Sequence, residues 1–233
     1  MPDQNTPPDA GGSAARSARR DALKGVEPTP GVSKPDTVLT IDGVRRSFGG
    51  LVAVDVDHLE IPRGLITALI GPNGAGKTTL FNLLTGFDEP DEGNWQFDSR
   101  ELASEPAHKV ARGGMVRTFQ LTKSLSKLPV IENMKLGATG QRGENFLTAH
   151  LPWLWRNQEQ EIEGRADTLL TRFKLDHMRN EFAGTLSGGQ RKLLEMARAL
   201  MVAPDVVMLD EPMAGVNPAL TQSLLEHVKG LAD

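Results

Sequence analysis

Residues Gly71-Pro72-Asn73-Gly74-Ala75-Gly76-Lys77-Thr78 separate an apolar run, Leu65-Ile66-Thr67-Ala68-Leu69-Ile70, from the stretch Thr78-Thr79-Leu80-Phe81-Asn82-Leu83-Leu84, whose apolar residues recur at helical spacing. Glycine, four residues, then Gly-Lys-Thr is the spacing of a phosphate-binding loop, and strand, loop, helix is the context such a loop requires. The apolar run predicts a strand buried on both faces. Glycines allow close backbone approach and positive φ, and the helix N-terminus attracts an anion. In this chemistry Lys77 reaches the β- and γ-phosphates and the Thr78 hydroxyl ligates Mg²⁺. A plain Gly-rich turn would give no reason for Lys-Thr after the last glycine.

A second apolar run, Val206 to Leu209, ends in Asp210 and Glu211. A carboxylate at the end of a buried strand is costly unless it is paired or near a metal. Two readings stand for these residues. One is that they solvate a strand end and cap the following turn. The other is that Asp210 holds Mg²⁺ and Glu211 polarises an attacking water, and the loop upstream favours it. Between the two motifs lies Leu186-Ser187-Gly188-Gly189-Gln190, which opens a stretch running from Arg191 to Val202. Its apolar residues Leu193, Leu194, Ala197, Leu200 and Met201 share one helical face. By itself this is a Ser N-cap with a Gly-rich entry; its exposed N-terminus would also favour an anion.

These three motifs, in this order, resemble those of the ATP-binding cassette (ABC) ATPases over about residues 37 to 233. The resemblance implies an α/β fold: a P-loop NTPase core with a mostly parallel sheet, an antiparallel β subdomain and an inserted helical subdomain at about 121–190. It implies ATP and Mg²⁺ as cofactors. ATP would be held by Gly71, Pro72, Asn73, Gly74, Ala75, Gly76, Lys77, Thr78 and Thr79, with Phe48 stacked on the base. Phe48 also reads as a core aromatic. Mg²⁺ would be held by Thr78, Gln120 and Asp210, and Glu211 and Gln120 would act in hydrolysis. Ser187, Gly188, Gly189 and Gln190 would touch the γ-phosphate of ATP bound to a partner subunit, identical or paralogous, in a head-to-tail dimer. Within the family the chain looks most similar to importer ATPases for branched-chain amino acids, through Phe48-Gly49-Gly50-Leu51-Val52-Ala53-Val54, Thr118-Phe119-Gln120 and Ala214-Gly215-Val216-Asn217-Pro218. Urea-import and lipopolysaccharide-export ATPases are near relatives, and a soluble non-transport ATPase is a further alternative. The implied partners are transmembrane permease subunits and, indirectly, a solute-binding protein. The implied place is the cytoplasmic face of the cell membrane, peripherally bound.

Two departures from the family pattern stand out. The subunit-crossing loop carries Asn217 where an Asp is usual. No histidine fills the γ-phosphate switch position: His227 falls within a helix too close to Glu211, and His58, His108, His150 and His177 precede the site motifs. The chain is thus expected to be a C-terminally truncated cassette lacking one core strand, and its own hydrolysis is in question.

A formal net charge of −4 argues against a nucleic-acid surface as the main business of the chain, so no nucleic-acid partner is expected. With no cysteine there is no disulfide or thiolate metal site. No apolar run approaches the ~20 residues that cross a bilayer, so membrane association would come through a partner. Residues 1–36, rich in Pro, Gly, Ser, Ala and Asp, are expected to form a disordered tail. Further expectations are a short strand, Val38 to Asp42, ended by Gly43; a second from Ala53 to Ile61; and helices near Val130–Leu136 and Gln158–Phe173. Trp153 and Trp155 read as local core packing or as an apolar patch facing a membrane-embedded subunit.

Overall fold

The computed structural model describes residues 18, 21, 23–26, 33–118, 125–140, 156–210 and 230. The chain forms two compact units, Met1–Pro106 with Val228–Asp233, and Ala107–His227. Of the first 32 residues few are described, among them Ala18, Asp21 and Leu23 in helical conformation.

The first unit is built on a four-stranded antiparallel sheet in the order β2-β1-β3-β4. Its strands are β1 (Thr37–Phe48), β2 (Leu51–Pro62), β3 (Glu92–Phe97) and β4 (Arg100–Glu101). Gly49 and Gly50, both at positive φ (54° and 87°), make the two-residue connection that joins β1 to β2. That geometry matches the twist of a hairpin and suits glycine. Leu39, Ile41, Val44, Trp95 and Phe97 of the sheet are buried, as are Leu80, Leu83 and Leu84 of α1 (Lys77–Leu84).

Gly43 does not end the first strand. β1 continues to Phe48, and the pairing with β3 shifts register between Asp42 and Arg45. The irregularity at glycine is absorbed as a bulge because β2 still supplies hydrogen bonds on the other edge. A second departure concerns Leu65–Ile70. Among the described residues this run joins no sheet, and Ile66, Leu69 and Ile70 are 54 %, 44 % and 90 % exposed. The run is apolar, but a strand exists only where a neighbour completes its ladder, and no described strand pairs with it.

His58 faces Asp42 across the β1–β2 register, with Nδ1 2.6 Å from Asp42 Oδ1 and Nε2 3.4 Å from Glu60 Oε1. The Asp42 hydrogen bond, followed by the charges of Asp42 and Glu60, raises its pKa above the ordinary 6.5. A raised folded-state pKa adds stability that is fully present below about pH 6.5 and is lost as pH climbs through the raised value. In His58→Gln that component of the pH–stability curve, followed by thermal unfolding, should vanish.

The second unit contains α2 (Ala107–Arg112), β5 (Met115–Thr118), α3 (Val130–Lys135), α4 (Arg156–Arg172), α5 (Gly188–Ala199) and β6 (Val206–Leu209). Its core gathers Val110, Met115, Val130, Met134, Ala166, Leu170, Phe173, Leu194, Ala197 and Met201. The helices expected near Val130–Leu136 and Gln158–Phe173 are present, within two residues of their predicted ends. The one expected to run on to Val202 finishes as a 3₁₀ turn, Leu200–Val202. β5 and β6 pair in parallel, Met115 with Val206 through Thr118 with Leu209, so their C-terminal ends lie side by side.

Asn133, fully buried, organises the loop before α3. Its Oδ1 accepts from Leu125 N (2.8 Å), and its Nδ2 donates to the carbonyls of Leu125, Leu128 and Pro129 at 3.1–3.2 Å. The same loop is stitched to the chain leading into Ser187, by Ala183 N to Leu128 O (2.9 Å) and Gly184 N to Ser126 O (3.0 Å). Leucine in place of Asn133 fills the space but strands these backbone groups. It should cost about 1–3 kcal/mol in urea unfolding.

Candidate functional site

The loop before α1 has the form of an anion cradle. α1 begins after Gly76 at φ 79°, and no side chain caps its N-terminus. Among the described residues its first N–H groups thus have no side-chain cap, the condition under which a helix end holds a phosphate. Lys77 Nζ donates to the Gly71 carbonyl (2.8 Å) and the Pro72 carbonyl (2.6 Å), folding over its own loop. Thr78 is exposed at the start of the helix. The close side of the cradle is β2: a Cβ on Gly76 would lie 2.0 Å from the Ala53 carbonyl oxygen. Ala53 is itself the bulged residue of the hairpin, since Arg46 pairs with Val54 and Ser47 with Val52.

That bulge connects the phosphate loop with Phe48. The aromatic closes β1 at the hairpin turn, opposite Leu51. It is 48 % exposed, which decides against a core role. One ring face is taken by Arg46, whose guanidinium carbon is 4.9 Å from the ring centroid.

In the second unit, Asp210 follows β6 directly and is 6 % exposed. Its Oδ2 accepts from Arg117 on β5 at 2.6 Å, and the Arg117 side chain is as deeply buried. Burial of a carboxylate at this position thus has a visible solution, a neighbouring guanidinium. The sequence signal for Arg117 was available: a charge inside the four-residue strand Met115–Thr118 demands a partner. The pair stands at the C-terminal ends of parallel strands, where α/β sheets place ligands.

At the start of α5, Ser187 is the N-cap of a full capping box. Its Oγ accepts from Gln190 N (3.2 Å), and Gln190 Oε1 accepts from Ser187 N (2.9 Å). The simple N-cap reading is therefore realised. It does not exhaust Ser187, because Oγ serves the cap as acceptor and retains its own proton to donate. Ser187 and Gly188 are exposed.

Thr78 and Asp210, each taken by itself, carry oxygen donors of the hard type that Mg²⁺ takes. Gln120, Glu211, the pair Trp153 and Trp155, the segment Ala214–Pro218 with Asn217, and His227 lie outside the described residues.

A Gly-rich phosphate loop at a helix start beside an antiparallel hairpin, and a buried acid at the end of a parallel strand, define a P-loop nucleotide-binding protein. The ABC transporter family matches residues 54–214. The probable branched-chain amino acid transport ATP-binding protein LivG of Archaeoglobus fulgidus is 41 % identical over 190 residues, 82 % of this chain and 73 % of its own length. The high-affinity branched-chain amino acid transport ATP-binding protein BraF of Pseudomonas aeruginosa is 40 % identical, over 83 % of this chain and 75 % of its own. A crystal structure of the ADP conformation of an ATP-binding cassette of an ABC transporter superposes with a TM-score of 0.72 at 37 % identity, covering 84 % of this chain and 77 % of that one. The chain belongs to the ABC transporter family, whose cassettes bind and hydrolyse ATP.

Proposed function

We propose that this chain is the ATP-driven subunit of a membrane importer for branched-chain amino acids. Residues 71–79 bind the triphosphate and Phe48 stacks on the base. Thr78, Asp210 and Gln120 hold Mg²⁺, which when bound neutralises charge on the β- and γ-phosphates. Glu211 takes the proton of the attacking water and Gln120 orients that water. Ser187, with Gly188, Gly189 and Gln190, closes on the γ-phosphate of ATP held by a second cassette. ATP drives that closure through its higher affinity for the closed pair. Permease subunits receive the motion at the cytoplasmic face of the membrane, and a solute-binding protein supplies the cargo to them.

The observation that carries this reading is the joint occurrence of an uncapped phosphate helix, a buried acid after β6 and an exposed, serine-capped Gly-rich helix start. The names of the relatives carry the choice of cargo. Sedimentation with a non-hydrolysable ATP analogue and Mg²⁺ tests the shared pocket. The chain should dimerise, and Ser187→Arg should abolish the dimer while changing nucleotide affinity of the monomer by less than about threefold. A Ser187→Arg chain that dimerises normally would sink the pocket. For the cargo, leucine uptake should fail in cells whose only copy carries Lys77→Ala.

A further inference from the structure

Phe48 is held by more than its own strand. Arg46 and Phe48 are two apart on β1, hence on one face, and the guanidinium lies over the ring. The guanidinium is itself fixed at its rim. Its Nε and Nη2 donate to the two oxygens of Asp88 at 3.1 and 2.8 Å, and its Nη1 donates to Asp91 at 2.6 Å. Asp91 also accepts from Ser47 N at 2.7 Å and donates its own N–H to Arg45 O at 2.8 Å. The backbone on either side of Arg46 is thus pinned to the same carboxylate-bearing turn. The Ser47 N–H and Arg46 hold the Asp91 carboxyl below its usual range, so it stays charged at neutral pH.

The position of that turn gives the network its meaning. Asp88 lies just beyond α1, and its N–H reaches back to Asn82 O. One end of α1 lies close against β2 where Gly76 meets Ala53, and the chain beyond its other end is bonded to β1 through Arg46. The helix that would carry the phosphates and the ring that would carry the base are therefore parts of one frame, held by the Asp91 bonds to Arg45 and Ser47 as well as by Arg46.

We propose that Arg46 is a positioning residue for nucleotide binding: anchored by Asp88 and Asp91, it fixes the Phe48 ring by covering one face, leaving the other for adenine. The inference rests on Phe48 being the base platform. Arg46 touches no phosphate and takes no part in hydrolysis. Its effect passes through the ring alone, and a cation–ring contact of this kind contributes a few-fold in affinity.

Equilibrium binding of ATP and of inorganic tripolyphosphate to the full chain tests this, for Arg46→Met, Arg46→Lys, Phe48→Ala and the double variant Arg46→Met/Phe48→Ala. Arg46→Met should weaken ATP about three- to tenfold and leave tripolyphosphate unchanged, which also shows that the loop is intact. Arg46→Lys, with a cation but no fork, should fall between. The double variant should bind ATP no worse than Phe48→Ala, because Arg46 then has nothing to position. The proposal is overturned if Arg46→Met binds ATP normally, if tripolyphosphate binding falls in parallel, or if Arg46→Met weakens ATP further in the Phe48→Ala background. Unchanged ATP affinity in Phe48→Ala alone would instead remove the base-platform role of Phe48, and the proposal with it.

Discussion

Replacing Gly76 with alanine is expected to lower ATP affinity by about 10²-fold or more and, with it, to abolish turnover. Two independent costs fall on the new methyl. The backbone at residue 76 holds φ at +79°, a region where a side chain costs roughly 1–2 kcal/mol. The Cβ would also lie 2.0 Å from the Ala53 carbonyl oxygen, and that atom belongs to the backbone of a bulge, so it cannot swing away as a side chain could. Relief requires the start of α1 to back off from β2, carrying Lys77 and the helix N–H groups with it. A displacement near 1 Å at such a cradle is worth about a hundredfold. Isothermal titration with ATP and Mg²⁺ measures the loss, and circular dichroism checks that the fold survives. Gly74→Ala makes a fitting comparison: it shares a positive φ of 81° but meets nothing within 4 Å, so its loss should be smaller. Equal losses for the two variants would refute the steric part of the argument.

Arg117→Met should destabilise the protein by about 3–5 kcal/mol, because it leaves the Asp210 carboxylate buried and uncompensated. The pair is 5 % and 6 % exposed with a 2.6 Å contact, so water can do little to replace the guanidinium. The measurement is the midpoint of urea unfolding. A double replacement, Arg117→Met with Asp210→Leu, should recover most of that loss, since two apolar groups can occupy a buried ion pair's place at little cost. The recovered variant should nonetheless fail to hydrolyse ATP, because the proposed metal carboxylate is gone. A single Arg117→Met variant as stable as the unaltered chain would mean that Asp210 is better solvated than its burial indicates.

Much of the candidate site is legible in the sequence. The spacing Gly, four residues, Gly-Lys-Thr specifies a conformation because only a few residue types tolerate it, and the structure has the loop, the positive φ at Gly76 and the helix where that spacing put them. Val206–Leu209 was a strand by composition and is one, and Asp210 closes it. Ser187 was readable as an N-cap because capping is a contact between residues three apart. Other features rested on residues far apart in the chain. Arg117 meets Asp210 across 93 positions, and Arg46 meets Asp88 and Asp91 across 42 and 45. No local pattern announces such a partner; at most a charge inside a strand says that one must exist. Gly43 misled for a related reason. A glycine weakens a strand locally, but pairing on the opposite edge carried β1 through it.

The sequence by itself determined the loop, the helix start at Ser187, the acid after β6 and the family to which they belong, because each is a matter of spacing within a few residues and of the φ, ψ values those residues accept. Only the tertiary structure decided that Ala53 forms a bulge against Gly76, that Phe48 lies half exposed beneath Arg46, and that Leu65–Ile70 stands outside the described sheets. Those outcomes depend on which distant segment arrives to share a hydrogen bond or bury a face, and that is settled when the chain folds back on itself.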